Sequence, residues 1–277
     1  MSWSTKRKII YLAIFIALVA VFLGFFLYSI TRHTATCFDG IQDGNETGVD
    51  CGGSCVRLCS DQEQQPIVLW SRIFAIAPGV YSAAAYVQNL NATAQAFSVP
   101  YTFTFWSATG QLLGSRSGTT FIPAGQNFTV IESDISASQL TASSTLSVNT
   151  SVKVGQQLPA RTDFQFGPIL WEVAPTATRD FNALQISNLQ TSFSTTSTPR
   201  VEADIANVSY TDLPRVDISA ILYDASGNAL GVSKTYISSL PQQVSKHIVF
   251  TWITPFATPP TRVELLPVVN EPQPTPN

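Results

Sequence analysis

The chain has 277 residues, enough for one large or two ordinary domains. Only 12% of them are charged and the formal net charge is −3, so there is no basic surface to meet a phosphate backbone, and nucleic acid is excluded as an expected partner. The polar residues are mostly Ser, Thr, Asn and Gln, aromatic and β-branched residues are frequent, and 17 Pro with 15 Gly supply turns, a composition that favours strands.

Residues 1–8 form a basic tail ending in Lys6, Arg7 and Lys8. Residues 9–30, IIYLAIFIALVAVFLGFFLYSI, carry no charge. At about 1.5 Å per residue this run is long enough to cross a hydrocarbon core of about 30 Å. A cleaved signal peptide would have an apolar core of about 7–15 residues and a small-residue cleavage site. The run is longer, and Thr34-Ala35-Thr36 before Cys37 does not make a lipoprotein cleavage site, so an uncleaved signal-anchor is expected. The stronger positive cluster lies before the span. It places the N-terminus in the cytoplasm and the bulk of the chain outside, as a single-pass protein of the cell membrane. The span contains Gly24 but no G-x-x-x-G pair to specify dimerisation.

All four cysteines, Cys37, Cys51, Cys55 and Cys59, sit in residues 37–59, CFDGIQDGNETGVDCGGSCVRLC. Outside the cytosol thiols oxidise, so a disulfide-rich neck over residues 31–65 is expected rather than a zinc site on the Cys51, Cys55, Cys59 spacing. Four cysteines allow three pairings, and spacing does not choose among them. Asp39, Asp43, Asn45, Glu46 and Asp50 gather oxygen ligands among five glycines, a set that calcium could use because it accepts six to eight oxygens in irregular geometry. The competing reading is a stapled turn cluster in which Asp and Asn cap their own backbone.

Beyond a polar connector at residues 60–65 the pattern becomes strand-like. Residues 82–88, 99–106 and 128–131 are separated by turn signals at 89–91, 108–110 and 123–125. Tyr101, Phe103 and Phe105 alternate with Thr102, Thr104 and Trp106, the period of a strand with one buried face. The arrangement then repeats. Trp106-Ser-Ala-Thr-Gly110 falls on Tyr223-Asp-Ala-Ser-Gly227, Leu113-Gly114 on Leu230-Gly231, and Tyr86-Val-Gln-Asn89 on Asp204-Ile-Ala-Asn207 with one gap. Hairpin turns at Gly110 and Gly227 and short, evenly spaced strands predict two tandem immunoglobulin-like β-sandwiches. Their expected ranges are 66–175 and 176–270, with a linker at 174–180 and an extended tail at 271–277. The fold class expected is therefore mainly β, with an N-terminal transmembrane helix, a disulfide cassette and two sandwiches.

Residues 221–252, ILYDASGNALGVSKTYISSLPQQVSKHIVFTW, resemble secreted β-sandwich modules built around a Phe-x-Leu-Tyr-Asp motif, which stands here as Ala220-Ile221-Leu222-Tyr223-Asp224. The cassette resembles the C-x-D-G…D-C-G-G-x-C element of exported bacterial proteins. Together they resemble a family of single-pass exported proteins of candidate-phylum bacteria. The resemblance implies architecture and location, and no particular activity.

Support for catalysis is slight. The two histidines are His33, beside the membrane span, and His247, in an expected strand as a surface or edge residue. No G-x-S-x-G, H-E-x-x-H or phosphate-binding glycine loop is present. Carboxylates such as Glu132 and Asp134 could be paired by folding, as they could on any surface. Trp70, Trp106, Trp171, Trp252, Phe103, Phe105 and Tyr223 are expected in the core rather than in a sugar-binding strip. Asn45, Asn91, Asn127, Asn149 and Asn207 each begin an N-x-S/T sequence, a number that chance explains in so Ser/Thr-rich a chain. The expected function is a membrane-anchored extracytoplasmic structural or adhesion protein without catalytic activity, meeting an envelope or surface protein or a glycan. An accessory subunit of a membrane or secretion complex is the alternative, and an extracellular hydrolase a weaker one. Possible calcium aside, no cofactor is expected.

Overall fold

The computed structural model describes residues 3–31, 36–59, 61–140, 158–175, 183–193 and 198–270. The tail at 271–277, most of the expected linker, His33 and Asn149 lie outside them. Two compact units are present, Met1–Cys55 and Val56–Asn277.

In the first unit, helix α1 (Trp3–Thr31) begins before the basic cluster rather than after it, because nothing between Trp3 and Ile9 breaks a helix. It is long and apolar enough to cross a membrane, and none of its most apolar window is buried against protein. Such a surface needs another apolar solvent, and a helix enters lipid at low cost because its backbone bonds are internal. The Arg7 guanidinium lies 3.6 Å from the centre of the Trp3 ring. After the helix, residues 36–55 run through tight turns without regular strands, with an isolated bridge between Gly48 and Cys51.

The second unit is built from antiparallel sheets. The first six long strands are β1 (Ile67–Ala77), β2 (Val80–Gln88), β3 (Ala94–Ser107), β4 (Leu112–Ile122), β5 (Asn127–Ser136) and β6 (Pro159–Phe166). They form a sheet in the order β1-β2-β5 facing a sheet in the order β4-β3-β6. The short strand β7 (Glu172–Val173) pairs with the start of β3. The next six are β8 (Leu184–Ser192), β9 (Arg200–Asn207), β10 (Arg215–Tyr223), β11 (Ala229–Ile237), β12 (Ser245–Thr251) and β13 (Arg262–Asn270). Their orders are β8-β9-β12 and β11-β10-β13. Strand for strand, the second set repeats the first: first-second-fifth against fourth-third-sixth. The duplication seen in sequence is thus a duplicated topology.

Each set encloses its own core. Phe103 and Phe105 on β3, Val87 on β2, Ile122 on β4 and Trp171 are buried in the first. Val201 and Ile205 on β9, Ile218 and Leu222 on β10, and Phe250 on β12 are buried in the second. The alternation along β3 holds, with Thr102, Thr104 and Trp106 on the opposite face. A third cluster joins the two sandwiches: Phe74, Ala84, Tyr86 and Ile131 from the outer face of β1-β2-β5 meet Ile221, Tyr223, Ala229 and Val232 on β10 and β11. Strand β2 is therefore buried on both faces, which accounts for its Ala83-Ala84-Ala85 run, since only small side chains let two layers approach a strand from both sides. The residues between cassette and β1 are docked rather than free. Gln64 N–H donates to Asn91 Oδ1 at 2.9 Å, and Asn91 Nδ2 returns a bond to the Gln64 carbonyl at 2.7 Å.

Candidate functional site

The cassette is held by the Cys37–Cys55 disulfide, and Cys51 and Cys59 are disulfide-bonded as well, leaving no free cysteine. Its acidic side chains serve the backbone. Asp50 Oδ1 accepts from the N–H groups of Asp39 and Gly40, and Asp39 Oδ1 from that of Ile41. Glu46 Oε2 accepts from the N–H groups of Asp43 and Asp50, and Asn45 Oδ1 from the Ser54 hydroxyl. Turns this tight expose many amide donors at once, and short carboxylate side chains are the nearest acceptors. Among the described residues, no three of the carboxylates proposed for calcium bring an oxygen within 4.8 Å of one another. The one compact grouping, Cys37, Glu46 and Cys55, includes the two disulfide sulfurs. Asp43 Oδ1 remains as a buried oxygen without a hydrogen bond.

In the sandwiches the two matched asparagines prove to be equivalent. Asn89 and Asn207 are both 1% exposed. Asn89 Nδ2 donates to the carbonyls of Ala94 and Pro123, and its Oδ1 accepts from Asn91 N–H. Asn207 Nδ2 donates to the carbonyls of Thr211 and Leu240, and its Oδ1 accepts from Ser209 N–H. Each carboxamide ties two loops together. Asn91 and Asn207, spent in this way, are not free to carry a glycan in the folded chain. The hairpin turns also coincide, with Gly110 at φ 81° and Gly227 at φ 80°, the left-handed conformation that closes a hairpin with a bulge.

The remaining candidates scatter. Glu132 accepts from the Tyr101 hydroxyl, and Asp134 stands apart on the surface. Burial and then the Glu132 bond hold the Tyr101 phenol above its usual range. The Tyr86 phenol, which bonds Glu264 across the sandwich junction, is likewise raised by burial and then by that bond. Tyr223 is pushed up to about 12, by burial first and then by Glu264. Phenols held this high stay protonated at neutral pH and act as donors, not as catalytic bases. His247 on β12 is half exposed between Asp204 Oδ1 at 2.8 Å and Glu202 Oε2 at 3.4 Å. Hydrogen bonds from Asn188 and then His247 lower the Asp204 carboxyl below the usual carboxylate range.

The aromatics divide. Trp171 and Trp252 belong to the two cores, Trp70 and Tyr223 to the junction, and Trp106 lies half-buried on the outer face of β3 with its Nε1 unpartnered. The Arg161 guanidinium stands 5.3 Å from the Trp106 ring and pairs with Asp163. The trio Tyr223, Arg262 and Glu264 occupies the equivalent register in the second sandwich, and there Glu264 accepts from Tyr86 across the junction at 2.7 Å. Sequence reasoning missed this junction, because its partners lie far apart along the chain and nothing in a single strand marks which outer face is covered.

No family model matches the chain, and no curated protein matches it. Among solved structures, one similar chain is the crystal structure of Bacteroides uniformis beta-glucuronidase, 13% identical, covering 69% of this chain and 22% of that chain, with a TM-score of 0.17. A likeness at that level carries nothing about fold or activity. The chain itself is an exported, disulfide-stabilised, mainly β protein with a membrane-anchoring helix.

Proposed function

We propose that the protein is a membrane-anchored extracytoplasmic adhesion or structural protein that acts by binding. One observation carries this reading: an apolar helix with no protein cover is joined to disulfide-bonded turns and to stacked sheets whose polar groups serve the fold. The basic cluster before the span supports a cytoplasmic N-terminus. The cassette then serves as a neck, residues 66–175 and 176–270 as two immunoglobulin-like modules, and an envelope protein or glycan as the partner. The resemblance to single-pass exported proteins of candidate-phylum bacteria supports the same placement.

A second reading, an accessory subunit of a membrane complex, is favoured by the uncovered helix, whose surface suits another helix as well as lipid. One experiment separates the two. The intact chain is captured from its own membrane, once with its natural span and once with residues 9–30 replaced by an unrelated apolar helix. Partners retained by both forms support adhesion through the β modules, whereas partners lost with the natural span support the accessory role. Protease added to intact cells tests orientation, since it should remove the β modules and spare the N-terminus.

A further inference from the structure

We propose that the cleft at the junction of the two sandwiches is a receptor for a partner's C-terminal chain end, taking an apolar side chain together with its adjacent carboxylate. The proposal rests on the adhesive reading and names the site through which it operates.

The cleft has a volume of about 450 Å³. That lies within the span of small-ligand sites, about 300–1,000 Å³. Its floor is formed by Phe74, Ile131 and Val232, which belong to the junction core, so the apolar contact between the sandwiches runs on into the cleft. One wall is formed by residues 252–256. Trp252 Nε1 donates to the Val232 carbonyl at 3.2 Å and fixes that wall. Gly231 makes the close approach possible: a Cβ there would come within 2.9 Å of the Phe256 ring. At the lip stands Ile253, 72% exposed, an apolar group that the fold leaves in water.

Lys234 supplies the charge. Its Nζ donates to the Ile131 carbonyl at 3.1 Å, and no carboxylate lies in ion-pair range among the described residues. A carbonyl orients an ammonium without neutralising it, so a net positive charge stands at the edge of an apolar floor. Ile131 contributes both parts, its side chain to the floor and its carbonyl to the lysine, so floor and cation lie about one residue apart. A terminal amino acid has that spacing between its side chain and its carboxylate, and capture of C-terminal carboxylates is a recurring recognition mode. A sugar fits less well, because Trp252 is buried and offers no open ring.

The test uses the full chain in phosphatidylcholine nanodiscs and a fluorescein-labelled peptide ending in Val-Phe, as the free acid and as the C-terminal amide. Polarisation should show the acid binding at least about 10-fold more tightly than the amide, the factor of one lost charged hydrogen bond. Lys234→Met, at an exposed position, should erase that preference without lowering the melting temperature, and Lys234→Arg should keep it. Equal binding of acid and amide, binding of neither, or an unchanged preference in Lys234→Met overturns the proposal. If the peptide fails while the chain still captures its partner, only the cleft is wrong. If partner capture fails while the acid peptide binds, the cleft stands and the adhesive reading falls.

Discussion

Asn89 and Asn207 each commit a buried carboxamide to tying two loops, at equivalent places in the two sandwiches. Truncation of Asn89 to alanine would take the hydrogen-bond partner from the Ala94 and Pro123 carbonyls and the Asn91 amide, at about 1–3 kcal/mol per group left unsatisfied. Truncation of Asn207 strands the Ser209 amide, while the Leu240 carbonyl keeps Leu213 N–H and the Thr211 carbonyl keeps the Ser209 hydroxyl. Asn89→Ala and Asn207→Ala should therefore both lower the melting temperature of the intact chain, Asn89→Ala by at least about 5 °C and Asn207→Ala by about 2 °C or more, read by tryptophan fluorescence in nanodiscs. A large shift for one and none for the other would break their equivalence. The match of these asparagines was visible in sequence, but their burial was not, since Asn in a turn is usually solvated. The turn residues Ser107 and Asp224 extend the comparison. Both order the same hairpin, but only Asp224 titrates. The Asn228 backbone bond, with further help from the Asn228 side chain and Ser226 N–H, holds its carboxyl below the usual value. A depressed pKa means that the stabilisation is present above the unfolded value of about 3.9 and fades as pH falls through the folded one. The melting difference between wild type and Asp224→Ala should thus shrink from pH 7 to pH 3, while that for Ser107→Ala stays constant.

At the scale of elements the cassette is the most tightly specified. Gly53 sits at φ +60°, and a Cβ on it would come within 1.9 Å of the Asn45 carbonyl oxygen, a backbone atom that cannot step aside. Gly53→Ala should prevent closure of the loop, and maleimide labelling without reductant should reveal thiols that the wild type lacks. An unlabelled variant would show that the loop re-forms around the methyl group. The carboxylates of the cassette already cap amides, so the melting profile should be the same with millimolar calcium and with chelator. A calcium-dependent rise would instead identify Asp43 Oδ1, the oxygen without a hydrogen bond, as part of an ion site. Strand legibility followed burial. β3 covers one core face, and its alternation could be read directly. β1 and β2 contribute to a core on one side and to the junction on the other, so IVLWSRIFAIA and the alanine run show no period of two to read.

The second unit as a whole behaves as four stacked sheets, and the outward faces at the two ends of the stack differ from the faces inside it. Ala84 and Tyr86, buried in the junction, have Glu202 and Asp204 as their counterparts in the second sandwich. Ile221 and Leu266 have Thr104 and Gln165 as theirs in the first. The duplication itself could be read from sequence. The packing of one copy on the other could not, because it is written in a comparison between copies and not in either copy alone. Terminal faces made polar in this way keep a repeat from stacking further. The same comparison supplies a test of what the junction contributes. Ala84→Glu with Tyr86→Asp installs side chains that an equivalent strand carries on a solvated face, so the strand itself tolerates them. In the junction they would bury charge against Ile221, at a cost of several kcal/mol, which the contact between two sheet faces does not repay. Each sandwich keeps its own core. Calorimetry of the intact chain should therefore change from one unfolding transition to two, with both cores still melting cooperatively. A single transition at an unchanged temperature would mean that the sandwiches do not depend on each other, and that the third cluster is contact without coupling.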